Sequence, residues 1–139
     1  MAKESGLAWS TLSVDDSGGT LRDIRNDVTN LAIATPRAVQ DTTGIDKSAM
    51  ERLVLLADLS LTLNGVFNDA ANQAHAVFKT IPSTSVAREV SIAVSGQTLG
   101  TTPQVTVLLT DYALTRADSG ELTWSVPGVL ANGEVPTWS

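Results

Sequence analysis

An apolar residue at every second position is the feature that most limits what this chain can become. Val90, Ile92 and Val94 alternate with Ser91, Ala93 and Ser95. Val105, Val107 and Leu109 alternate with Thr106, Leu108 and Thr110, and Leu122, Trp124 and Val126 with Glu121, Thr123 and Ser125. Successive side chains of a strand point to opposite faces, so a period of two reads as half-buried strand. The longest such run is 50–67, where Leu53, Leu55, Ala57, Leu59, Leu61 and Leu63 are apolar. From position 57 their alternates are Asp58, Ser60, Thr62 and Asn64. Ser48-Ala-Met-Glu51 matches a helix capping box. A helix here, however, would set Asp58 and Thr62 beside Leu55 and Leu59 and leave no apolar stripe. We therefore read a long strand over 50–67, with one helical turn at 48–51 and a bend or bulge at Asn64-Gly65. The 17 Thr and 14 Val agree, since β-branched residues favour strands.

The other elements follow from turn and cap chemistry. Residues 8–14 read as a first strand, broken by Asp15-Asp16-Ser-Gly-Gly19. Residues 20–30 suit a short helix or a packed loop, and 31–35 a strand stopped by Pro36. A long polar loop is expected at 36–50. The best helix is 69–80: Asn68 or Asp69 caps it, Ala71, Ala74, Phe78 and Ile81 share a stripe, and Pro82 follows its end. Gly96 to Pro103 reads as a loop, and the strands on either side of Asp118-Ser-Gly120 as a meander of hairpins. The N-terminal residues 1–7 and the C-terminal 128–139 read as extended segments. The expected fold is mainly β, of the α+β kind: an antiparallel β-sandwich or barrel with one flanking helix, as a single domain over 1–139.

Composition removes several chemistries. The 139 residues include no Cys and one His, which excludes thiolate nucleophiles, Cys-based metal sites and a multi-histidine centre within one chain. A net charge of −6 opposes a phosphate-coating surface. No run is apolar for the roughly 18 residues that a membrane helix needs, so no membrane partner is expected. No apolar stretch follows Met1–Gly6, so no signal peptide is expected. There is no Gly-x-Ser-x-Gly, Walker loop or Gly-x-Gly-x-x-Gly. His75 lies between two Ala on the expected helix and reads as structural or solvated. Asp15-Asp16 reads as a turn or a cation ligand pair. Asp58, Asp111 and Glu121 interrupt strand patterns and read as charges on a wet sheet face, or as residues lining something. No cofactor and no enzymatic activity is expected.

Residues 41–68, running Asp-Thr-Thr-Gly-Ile-Asp through Leu-Ser-Leu-Thr-Leu-Asn-Gly-Val-Phe-Asn, resemble the major tail protein, or tail tube protein, of long-tailed, siphovirus-type bacteriophages. The likeness continues through Ala74-His-Ala-Val-Phe78, Gly120-Glu-Leu-Thr-Trp-Ser-Val-Pro127 and Asn132-Gly-Glu-Val-Pro-Thr-Trp138. It implies a non-enzymatic virion subunit, assembled in the host cytoplasm into hexameric rings that stack into a tube. One sheet per subunit would join an inner barrel around a channel that guides tape-measure protein and then double-stranded DNA. Tail terminator and distal tail proteins would be the end partners. Asp58, Ser60, Thr62, Asn64, Thr106 and Thr110 would then face the lumen, and a ring of six would multiply the negative charge sixfold. Arg37, Asp41, Asp46, Lys47 and Trp138 would make ring–ring contacts. The alternatives are a neck, terminator or baseplate component of the same fold, a monomeric β-sandwich binding module, and a hydrolase built on scattered carboxylates.

Overall fold

The computed structural model describes residues 3–100 and 104–139. The expected loop at 96–103 and the N-terminal segment 1–7 therefore lie partly outside the described residues. After a 3-10 turn at Gly6–Ala8, the chain forms β1 (Trp9–Asp15), β2 (Leu21–Asp23), β3 (Val28–Ala34), β4 (Arg37–Asp41), β5 (Arg52–Ala57) and β6 (Ser60–Val66). Then come α1 (Ala74–Phe78), β7 (Arg88–Val94), β8 (Gln97–Thr98), β9 (Val105–Leu109), β10 (Ala113–Arg116) and β11 (Leu122–Leu130). All strand pairings are antiparallel.

One sheet takes nine of these strands in the order β2-β1-β7-β9-β11-β6-β3, with β8 on β7 and β10 on β11. β11 is the branch point. Its Gly128–Leu130 half pairs with β9, while its Leu122–Ser125 half pairs with β10 on the same side. Pro127 sits between the two halves. Proline has no N–H, and a central strand tolerates it only where the ladder is already interrupted. The Pro127 carbonyl accepts from Thr110 just as β9 ends, and the partner strand resumes one residue out of register at Ala113. The chain thus folds into two layers, β3-β6-β11-β10 and β9-β7-β1-β2, sharing one core.

That core is the inward half of each alternation. Leu12, Val14, Leu61, Leu63, Val90, Ile92, Val105, Val107, Trp124 and Val126 are all buried. The β-sandwich with a flanking helix is as the sequence led us to expect. The helix itself is shorter than 69–80. Five residues cannot hold a helix in water by propensity; this one is held by burial of Ala74, Val77 and Phe78. Its cap is not Asn68 or Asp69. Asn68 Oδ1 accepts from the Ala70 amide, one turn too early, and Asp27 from a distant loop accepts from the Ala74 amide at 2.9 Å.

Four further expectations change. The segment 20–30 contains β2 rather than a helix, and the strand read at 31–35 begins at Val28. The strand read at 50–67 is two strands, parted at Asp58-Leu59, and no helical turn forms at 48–51 because the Glu51 amide is taken by the Thr43 hydroxyl. At Asn64-Gly65 the register irregularity belongs to the opposite strand, between Val28 and Asn30. The C-terminal segment is not free: 128–130 complete β11, and Ser139 and Thr98 exchange amide bonds at 2.8 and 2.9 Å. Within the expected 96–103 loop, Ser95 and Gly96 have φ of 51° and 80°. Positive φ at both central residues is what a type I′ hairpin requires, and the turn joins β7 to β8.

The turn between β1 and β2 gives a pH prediction. Asp16 Oδ1 accepts from the Thr20 and Gly18 amides, and Oδ2 pairs with Arg22 at 3.2 Å. The Thr20 amide, then Arg22, hold this carboxyl below the usual carboxylate value, against the opposing effect of burial. A depressed folded value stabilises above the unfolded pKa, near pH 4, and the contribution is lost as pH falls through the folded value. Asp16→Asn should therefore lower the urea midpoint at pH 7, and the gap from the parent should close below about pH 3.5. A gap that persists at pH 2.5 would assign the effect to shape rather than charge.

Candidate functional site

Two surfaces stand out once the register is followed. The first is the outer face of the β3-β6-β11-β10 layer. Pairing sets Ala34, Ser60, Val129 and Leu108 in one row. Ala32, Thr62 and Pro127 form the next row, which Thr110 joins through its amide bond to Pro127. Asn30, Asn64, Ser125 and Ala113 form a third. Val66, Thr123 and Thr115 continue the face. No residue in these rows is charged. The rows are flat and small apart from Leu108 and Val129, and Asn64 donates to Asn30 across the strands at 2.8 Å.

Five of the six residues assigned to a lumen fall on this outward side: Ser60, Thr62, Asn64, Thr106 and Thr110. Thr106 is the outlying one, on β9 beyond Leu108, with its carbonyl accepting from Ala131. Asp58 does not join the rows. It sits at the break between β5 and β6, exposed, with Oδ1 accepting from the Leu59 amide at 2.8 Å. The acidic wall that net charge suggested is therefore not on this face. Asp111 and Glu121 likewise interrupt the alternation because they lie just outside β9, β10 and β11.

The second surface is the ribbon made by β4 and β5. Arg37 pairs with Ala57, in the same register that pairs Ala34 with Ser60, so β4 and β5 extend the β3–β6 hairpin beyond the body. The expected 36–50 loop is thus a strand, β4, followed by a tip at 42–51. β5 was expected to bury its leucines; instead every residue but Ala57 is exposed. Leu53 is 56%, Val54 55% and Leu56 89% exposed. A two-stranded ribbon with apolar side chains in water is marginal alone, and exposed apolar surface of this kind marks a contact site. A cleft of about 760 Å³ runs between the ribbon base and the C-terminal segment, lined by Arg37, Leu55, Leu56, Asp58 and Val135 among others.

The residues assigned to ring–ring contact fall mostly on this ribbon. Arg37 is engaged internally: a bulge puts two β5 residues against Ala38, and the guanidinium donates to the Leu55 carbonyl at 2.7 and 2.9 Å and to Val54 at 3.4 Å. Asp41 closes β4 and accepts from the Thr43 hydroxyl, which with the Thr43 amide pulls its carboxyl below the usual range. Lys47 bridges Asp46 at 3.3 Å and Glu51 at 3.7 Å in the tip. Trp138 is apart from them, half-exposed, bridging to Leu99 at the body. Arg37→Ala should loosen the bulge without touching the core. Hydrogen exchange across 38–56 should rise roughly tenfold while the thermal midpoint of the body stays put. A large fall in the body's midpoint would mean that the ribbon is not an independent unit.

Catalytic geometry does not assemble. His75 Nδ1 meets the Tyr112 hydroxyl at 3.0 Å, and its ring lies 4.7 Å from that of Phe67. Burial raises the Tyr112 hydroxyl above its ordinary pKa, which disfavours a phenolate there. The neighbouring Phe78 and Trp124 complete an aromatic packing cluster. Among the described residues, no three His, Asp or Glu side chains gather as a metal site would need, and no helix is long and apolar enough to cross a membrane. Sequence reasoning missed the contributions of β3, β11 and β10 to the outer face. The signal was available, as Asn30, Ala32 and Ala34 alternate with Leu31 and Ile33.

No protein-family profile and no curated protein matches the chain. Solved structures do. A chain from the virion of a native gene transfer agent particle superposes with a TM-score of 0.75 at 15% identity, over 99% of both chains. A chain from the tail of an empty gene transfer agent particle, refined with C6 helical symmetry, gives 0.68 at 14% identity, again over 99% of both. The chain shares its fold from end to end with subunits of these particles.

Proposed function

We propose that this protein is a structural tail tube subunit of a phage or phage-like virion, assembling in the host cytoplasm into stacked rings of six around a channel. The observation that carries the reading is the uncharged outer face of the β3-β6-β11-β10 layer. A conduit wall must stay hydrated yet offer phosphates nothing to bind, and DNA affinity comes chiefly from cationic contacts. Thirteen positions on this face without one Lys or Arg meet that need by neutrality, while the net −6 sits elsewhere. The shared fold with a C6-symmetric tail supports sixfold rings. The exposed leucines of the ribbon, with Asp41, Asp46 and Lys47 at its tip, supply the contact between rings. Tape-measure, terminator and distal tail proteins are the partners this role requires. The subunit performs no catalysis.

Size-exclusion chromatography with negative-stain microscopy tests the reading. Rings or long tubes with a central hole are expected. Rings that never stack would favour a neck, terminator or baseplate component, and a strict monomer at high concentration would favour a binding module. Thr62→Lys places a cation in the middle of the face. It should leave assembly intact but make tubes retain double-stranded DNA in a salt-dependent way. Retention no different from the parent would remove this face from the channel.

A further inference from the structure

We propose that each ring closes by main-chain pairing of β3 in one copy with β10 in the next, antiparallel, so that four strands per copy merge into one barrel. This rests on the ring reading above and adds which edges meet, and in what sense.

The β3-β6-β11-β10 layer ends in two strands that lack an outer partner, β3 and β10. An open edge invites pairing, and folded monomers blunt it with charge, shortness or bulges. β3 is seven residues, Val-Thr-Asn-Leu-Ala-Ile-Ala, with no charge. The opposite edge of the nine-stranded sheet is guarded. β2 is three residues long, and its Arg22 and Asp23 are held in ion pairs with Asp16 and Arg25. The contrast points to β3 as an edge kept open for a partner.

The side chains on the two open edges match. Outward, β3 presents Asn30, Ala32 and Ala34, and β10 presents Ala113 and Thr115, all small and uncharged. Inward, Leu31 and Ile33 of β3 are only half-buried, while Leu114 at the β10 edge and its neighbour Leu122 on β11 remain 48% and 41% exposed. Joining the edges in two copies continues the neutral face on one side and covers these leucines on the other.

Strand count fixes the sense. β3, β6, β11 and β10 alternate in direction. With an even number, β10 of the next copy runs opposite to β3, so every junction around the ring is antiparallel. An odd number would force parallel junctions, which need a different hydrogen-bond pattern. Because β3 and β10 are different edges, the contact is head-to-tail and closes a ring rather than a dimer. Six copies give 24 strands; at a spacing of about 4.8 Å and a tilt of about 40° the barrel is roughly 48 Å across at the backbone. That leaves room for a double helix after side chains are counted.

The absence of Cys makes the test clean. Cysteine pairs combine Asn30, Ala32 or Ala34 on β3 with Ala113 or Thr115 on β10, and assemblies are oxidised and run without reductant, with microscopy on the same samples. At least one pair, for example Ala32→Cys with Thr115→Cys, should give a covalent ladder ending at the ring number, and each single variant should give none. Rings or tubes whose double variants all remain uncrosslinked would overturn the pairing while leaving the tube reading standing. So would dimers from Ala32→Cys alone, which would mean β3 meets β3. Absence of any ring in the parent protein would remove both.

Discussion

Gly65→Ala should leave the protein largely unfolded. Gly65 is buried in β6 between the Asp27 carbonyl and the Trp124 ring. A Cβ built there would collide with that carbonyl oxygen and come within 2.6 Å of Trp124 Cζ2. Neither neighbour can yield cheaply. The Asp27 carbonyl accepts from the Val66 amide at 3.0 Å, and the Asp27 carboxylate caps α1 while taking the Asn68 amide at 2.8 Å. Trp124 is 2% exposed and donates through Nε1 to the Val66 carbonyl at 2.8 Å. Overpacking costs about 1–3 kcal/mol where side chains can shift, and more where main chain must move. Against a total stability of roughly 5–15 kcal/mol, loss on the order of 4 kcal/mol or more removes most of the folded population at physiological temperature. Circular dichroism and a urea titration would show it. A variant that unfolds within 1 kcal/mol of the parent, a small change by the usual scale, would disprove the close approach at this point.

Arg88→Met should be the next most damaging change. Arg88 is 1% exposed, yet it makes no ion pair within 4 Å among the described residues. It ties main chain together instead. Nη1 donates to the carbonyls of Val77 at 2.7 Å and Asp15 at 3.0 Å, and Nη2 to the Thr80 hydroxyl at 2.9 Å. One guanidinium thereby joins α1 and the turn after it to the end of β1. Burial pushes its pKa down, and the carboxylates of Asp16 and Asp15 oppose that. Methionine would fill much of the space but strand both carbonyls and remove the cation beside the buried Asp15, whose Oδ1 already lacks a partner. Removing one side of such an arrangement costs about 3–5 kcal/mol, or a fall of roughly 10–20 °C in thermal midpoint for a domain of this size. Arg88→Lys should rescue little, because an ammonium cannot span three acceptors laid out for a planar fork. Full rescue by Lys would mean that charge alone is what the site requires.

The alternating segments were legible because each buries one face. Val90-Ile92, Val105-Val107 and Trp124-Val126 stand where the period placed them, and the β-sandwich with one flanking helix followed. The helix boundaries failed for a tertiary reason: the cap of α1 is Asp27, 47 residues before Ala74, and no local pattern announces it. The run at 50–67 failed differently. Its period of two was correct, but period says only that a strand forms, not whether anything covers it, and Leu53 to Leu56 emerge from the body unburied. At the candidate site, Ser60, Thr62 and Asn64 could be read as one wet face because they lie on one strand. Their neighbours Asn30, Ala32, Ser125 and Ala113 come from three other strands, and only the register brings them alongside. Asp58 was misread because a charge that breaks an alternation looks the same on a sheet face as at a strand end.

The ribbon has a mechanical consequence. Because β4–β5 keeps the register of β3–β6, a pull on the ribbon is delivered along the strand axis of β6, which is laddered on both sides by β3 and β11. Force applied that way loads the hydrogen bonds of two ladders in shear, all at once, rather than peeling them one by one. The hinge at Pro36 and Asp58, joined by a single amide bond of 3.2 Å, is the compliant link in series with that stiff element. Bending is then taken up at the hinge and tension by the sheet, so a flexed assembly can curve without opening its wall.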